Sequence, residues 1–169
     1  MVILGIDPGL NATGFGVLEA SPAQLRVIAG GDIRPPRTQP LAARLECIHT
    51  ALSRLIRHHH PDVVVLEKLF THHHHVTTVA LIAHARGVAC LAAQEHGLPL
   101  AEYPATQVKK SLTGSGAASK EQVSHMVGQW LDYADPSWTV DATDALALAI
   151  VHAHSEAHRQ HLPAGAISR

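Results

Sequence analysis

"PDVVVLEKLF", residues 61–70, decides the fold. Val63, Val64, Val65 and Leu66 follow one another with no polar residue between them. A strand with one face in water alternates apolar and polar residues. A short unbroken apolar run marks a strand covered on both faces, as in sheets flanked by helices. The run stops at an acid, Glu67. Both flanks fit this reading. Upstream, "PLAARLECIHTALSRLIRHHH" sets Leu41, Leu45, Ile48, Leu52, Leu55 and Ile56 at helical spacing. Downstream, "VTTVALIAHARGVACLAAQEHG" reads as a second helix, ended by Gly97.

Further out, "VILGID", "TGFGVLEA" and "LRVIAGGDIR" read as three strands separated by turn residues. "LPLAEYPATQVKKSL" contains another strand, and "GSGAAS" is a loop. Ser119 is placed to cap a helix over "KEQVSHMVGQWL". Thr139 or Asp141 starts a last helix. The expected order is three strands, helix, strand, helix, strand, two helices. That order gives an α/β domain over residues 1–154, with a mixed five-stranded sheet and helices on both faces. The polar stretch 155–169 reads as a tail, frayed at its end.

Composition excludes more than it assigns. The formal net charge is −1 with histidines neutral, so bulk charge makes no case for nucleic acid. Any such case rests on local clusters. Cys47 and Cys90 are far apart within apolar helical patterns and read as reduced thiols of a cytosolic protein. "MVILGID" lacks the basic start of a signal peptide, and no run reads as long enough to span a membrane. A soluble, cytoplasmic protein with no membrane partner is expected.

The acids carry the chemistry. Asp7 ends the first strand and Glu67 the fourth, although acids are disfavoured in strands. Strand C-terminal ends are where α/β sheets bind ligands. Asp141 and Asp144, in "TVDATDALALAI" (139–150), are neighbours on one helix face. If that helix begins beside strands one and four, four carboxylates converge and call for cations. Mg²⁺ or Mn²⁺ suits such oxygen donors, and two ions roughly 4 Å apart can drive phosphodiester cleavage. Each acid also has a plainer reading. Asp141 is placed to be a helix N-cap with Asp144 at N3, Asp7 to be a turn residue before Pro-Gly, and Glu67 to be a solvated strand end.

Several segments together resemble the RuvC family of crossover junction endodeoxyribonucleases, which resolve Holliday junctions. They are "ILGIDPGLNATGFGVLE", "VVVLEKLF", "ARGVACLAA", "ATQVKKSLTGSGAASKEQV" and "DATDALALAIVHAH", in order from about Val2 to His154. The resemblance implies a ribonuclease H-like fold, a homodimer, divalent-metal catalysis and four-way junction DNA cut at a short thymine-containing sequence. It also implies the branch-migration proteins RuvA and RuvB as partners. By motif it assigns catalysis to Asp7, Glu67, Asp141 and Asp144, a base contact to Phe70, and important roles to Lys109 and Lys120. The segment "THHHHVTT" (71–78) departs from the more basic, Asn-containing stretch usual in the family.

Lys109, Lys110 and Lys120 read either as solvated lysines or, beside "TGSGAAS", as a basic edge for phosphate. Phe70, one of six aromatic residues, is either core or a side chain that stacks on bases. His58–His60 suit a helix end, and His72–His75 a polar loop. Two rival functions remain in view. An actin-like ATPase would share "GIDPG" but needs a second phosphate loop and an adenosine motif, and neither is present. A non-catalytic DNA-binding or histidine-rich metal-binding protein would have no use for four retained carboxylates.

Overall fold

β1 (Val2–Asp7) runs through the middle of a five-stranded sheet of order β3-β2-β1-β4-β5. The computed structural model describes residues 1–69, 76–131 and 138–161. β2 (Thr13–Ala20) and β3 (Leu25–Ile33) extend the sheet on one side as an antiparallel meander. β4 (Val63–Glu67) and β5 (Leu100–Tyr103) extend it on the other as parallel strands. A parallel neighbour needs a crossover connection. The helices α1 (Leu41–His59) and α2 (Val76–Glu95) lie in those connections. Beyond β5 come α3 (Ala105–Thr113), α4 (Lys120–Trp130) and α5 (Val140–His161).

The sheet divides two cores, and the alternation of side chains along β4 shows why its sequence has no polar gap. Val63 and Val65 pack with α3, α4 and α5, whereas Val64 and Leu66 pack with α1 and α2. All four are buried, so both phases of the alternation must be apolar. On α1, Ile48, Leu52 and Ile56 are buried as their spacing predicts, while Leu41 in the first turn is exposed. On α2, Ala85, Ala89, Ala92 and Ala93 form the buried seam, so small side chains let this helix lie close.

Three expectations need correction. The segment after β5 holds a helix, α3, that was not anticipated. It is short, and only Val108 and Leu112 on it are buried, too few to register as a periodic pattern. The last helix does not stop near residue 154 but continues to His161. α2, with 20 residues, is also long and apolar enough to cross a membrane by length and composition.

α5 sits closest to the sheet. A side chain on Gly5 would meet the carbonyl of Ala145, and one on Gly16 would meet Leu146. Glycine at these positions lets the helix backbone approach the strand backbone directly. α5 therefore crosses β1 and β2 almost without intervening side chains, and this fixes where its first turn ends up.

Candidate active site

Asp7 shares a sheet face with Ile3 and Gly5, by the two-residue period of a strand. Gly5 lies against α5, so Asp7 also faces α5. The same parity puts Glu67 on the face of Val63 and Val65, which is again the α5 face. β1 and β4 are parallel with Ile6 opposite Leu66, so the two acids end adjacent strands at one edge. Gly14 pairs with Asp7, and a side chain there would strike the carbonyl of Asp141. The first turn of α5 thus rests on Gly14 and delivers Asp141 and Asp144 beside Asp7.

The electrostatics record this convergence. Burial, followed by the charges of Asp144, Glu67 and Asp141, pushes the Asp7 carboxyl up to about 7, and Lys120 offsets part of the rise. Burial and the neighbouring Asp32 raise Asp141 as well, against the pull of Arg34. Lys120 answers from α4, with its ammonium 2.9 Å from Asp144 Oδ2. That hydrogen bond, with the surrounding acids, raises the lysine's pKa further. Lys120 is held there by a capping box. The Ser119 hydroxyl accepts from the Gln122 amide, and the Gln122 side chain accepts from the Ser119 amide. Ser119 therefore caps the helix as expected.

The capping alternative for the aspartates does not hold. Thr139 caps α5: its hydroxyl accepts from the Ala142 amide at 3.2 Å, and its carbonyl accepts from Thr143. Asp141 and Asp144 thus lie inside the helix, and neither serves as the cap.

Lys109 and Lys110 sit on α3, which leaves β5 at the same edge of the sheet. Among the described residues neither forms an ion pair with the acidic cluster. Phe70 and His72–His75, singled out in the sequence, lie outside the described residues.

Three supporting residues were not anticipated. Asp32 pairs with Gly14, so Asp7, Gly14 and Asp32 form one row across three strands. Its signal was the one used for Glu67, an acid inside a strand pattern. Arg44 of α1 donates to the carbonyl of Leu10 and to Asn11 Oδ1, tying down the turn after Asp7. Arg86 of α2 donates to the backbone carbonyl of Glu67 and pairs with Glu102.

Chemically, the cluster is an all-oxygen donor set with a lysine ammonium already drawn in as a counter-charge. Among the described residues, no three carboxylates, histidines or cysteines form a ready-made metal cage. The donor type and the surplus of negative charge fit a hard divalent cation.

The fold is that of the ribonuclease H-like class, and its acidic edge suits metal-dependent phosphodiester chemistry. The family model described as "Crossover junction endodeoxyribonuclease RuvC" matches residues 3–152. Curated proteins of that name are similar over nearly the whole chain. The protein from Bradyrhizobium diazoefficiens is 44% identical, covering 94% of this chain and 87% of its own. That from Bordetella avium is 46% identical, covering 100% and 93%. Among solved structures, Thermus thermophilus RuvC in complex with a Holliday junction substrate superimposes with a TM-score of 0.87 at 30% identity, covering 94% of this chain and 96% of the other. The yeast mitochondrial Holliday junction resolvase Ydc2, at 11% identity and a TM-score of 0.69, shares the fold. The chain belongs to the RuvC family of crossover junction endodeoxyribonucleases. The expected ribonuclease H-like fold, enzyme class and junction-resolving function are borne out.

Proposed function

We propose that Asp7, Glu67, Asp141 and Asp144 are the catalytic carboxylates and hold divalent metal, Mg²⁺ or Mn²⁺, in two positions. The observation that carries this is the convergence of the four acids at one edge of the sheet, where burial, and after it the charges of Asp144, Glu67 and Asp141, raises the Asp7 carboxyl to about 7. Once bound, the metal would activate water and stabilise the leaving oxygen in phosphodiester hydrolysis. Asp7 and Glu67 present their oxygens from adjacent strand ends, and Asp141 and Asp144 from one face of α5. Asp7 must give up its proton to become a ligand, so metal binding near neutral pH releases it. Lys120 exchanges its contact with Asp144 for a scissile-strand phosphate, while Lys109 and Lys110 extend the phosphate track. Phe70, three residues past Glu67, stacks on a base near the cut.

The substrate is the four-way junction, cut symmetrically by a homodimer. Two like strands related by a two-fold axis match a C₂ pair of identical sites. The outer face of α2, with Leu81, His84, Gly87 and Leu91 exposed, is the proposed dimer surface. Covering this face with a second copy gives its apolar surface a partner. RuvA and RuvB are the proposed companions, in the cytoplasm where the DNA lies. The test is Mg²⁺- or Mn²⁺-dependent cleavage of a synthetic four-way junction, set beside sedimentation of the protein. Paired nicks by a dimer are expected. Cleavage in excess chelator, or paired nicks from a strict monomer, would overturn the reading.

A further inference from the structure

Asp32 is a charged side chain only 6% exposed, and it stands in the same row as Asp7 and Gly14. One oxygen, Oδ2, pairs with the Arg34 guanidinium at 2.8 Å. The other, Oδ1, accepts from the hydroxyl of Thr139 at 2.5 Å. That hydroxyl therefore has two roles. It donates to Asp32 while its lone pair caps the Ala142 amide. A threonine hydroxyl has one proton, so the bond to Asp32 commits that proton and turns a lone pair toward the helix. The bond links residues 107 apart in sequence, one at the end of β3 and one at the start of α5. Asp141 lies two residues further along α5, with its carbonyl over Gly14.

We infer that Asp32 is a positioning residue: through the Thr139 hydroxyl it fixes the first turn of α5 on the sheet and so sets Asp141 for metal binding. The inference rests on the proposed metal site and names the contact that aligns it. Packing at Gly14 presses the helix onto the sheet at a single close backbone approach, which by itself does not fix rotation of the first turn about that point. The Asp32–Thr139 bond lies on the β3 side of the contact and Asp7 on the β1 side, so this bond opposes that rotation. Residues that orient metal ligands in this way typically govern about 10–100-fold in metal affinity.

The test is direct Mn²⁺ binding to the full-length protein, followed by electron paramagnetic resonance, with thermal melting and single-turnover junction cleavage alongside. Asp32→Ala and Thr139→Val should each weaken Mn²⁺ binding about tenfold or more. The double variant should bind Mn²⁺ no more weakly than the worse single variant, because the Asp32–Thr139 bond is already lost in each, while the lost Ala142 cap and Arg34 pair should register in the melting temperature. Asp32→Asn keeps an acceptor for Thr139, and Thr139→Ser keeps the hydroxyl, so both should bind Mn²⁺ nearly as the wild type does. Junction affinity in Ca²⁺ should stay unchanged throughout. A lower melting temperature with unchanged Mn²⁺ affinity would reduce Asp32 to a structural role and overturn the inference. Additive losses, or an Asn variant as weak as Ala, would overturn it too. Asp141→Asn serves as the reference. If it leaves Mn²⁺ binding intact, the metal-site reading itself fails, a different result from failure at Asp32 alone.

Discussion

Gly14 and Asp141 meet backbone to backbone: a β-carbon on Gly14 would lie 2.0 Å from the Asp141 carbonyl oxygen. No flexible side chain can give way there, so Gly14→Ala must push the first turn of α5 off the sheet. Overpacking of this kind costs about 1–3 kcal/mol. The displacement moves two carboxylates away from the other two. Cleavage should fall far more than stability does, and single-turnover assays run well below the melting temperature measure this. A Gly14→Ala enzyme of normal rate would mean that the α5 acids need not abut Asp7.

Removing one carboxylate charge should separate binding from chemistry. Asp7→Asn, Glu67→Gln and Asp141→Asn should each abolish cleavage while the protein still shifts a labelled junction in a gel. Asp144→Asn should do the same at little cost in stability. The residue does not cap the helix, and its partner Lys120 is mostly exposed, a setting in which ion pairs contribute about 0–1 kcal/mol. If that variant loses only thermal stability, Asp144 leaves the catalytic set.

The raised Asp7 carboxyl has a stability signature. Its ordinary value is 3.8 and its folded value about 7, so the native state binds the extra proton between those limits. For a raised acid, the stabilising contribution is complete below the unfolded value and is lost as pH rises through the folded one. In chelator, Asp7→Asn should therefore melt above the wild type at pH 8, by several degrees, and the gap should narrow toward pH 5. At limiting Mg²⁺, wild-type cleavage should fall as pH drops below 7, since metal must displace the proton. A melting difference that stays flat from pH 5 to pH 8 would count against burial of the Asp7 charge.

The lysines should divide by location. Lys109→Ala and Lys110→Ala should weaken junction binding and reduce the salt slope by about one each, as lost phosphate contacts do. Lys120→Ala removes the cation inside the cluster, so its main effect should be on the cleavage rate at saturating enzyme. Identical behaviour of all three would argue against a special place for Lys120.

Much of this arrangement was legible in the sequence. The unbroken run Val63–Leu66 announced a strand covered on both sides, and acids at strand ends announced the site. What escaped has physical reasons. α3 buries only two residues, below what periodicity can register. The sequence left the cap open between Thr139 and Asp141, because either side chain has an oxygen that can accept from a backbone amide, and only the backbone path assigns it to Thr139. Asp32 was passed over because its importance comes from register with Gly14, a fact about pairing that no single strand carries.

α5 is at once the carrier of two of the proposed catalytic acids and a deeply buried helix, with Ala145 through Val151 almost wholly out of water. Most enzymes place reactive groups on loops that open at low cost. Here the acidic pair begins a rod whose next two turns are the centre of the hydrophobic core. The first turn itself is only partly buried, so the pair is held by its contacts with Gly14 and Asp32 in front and by the buried rod behind. Control over cutting then falls most naturally on what reaches the acids, since the rod that carries them is anchored in the core.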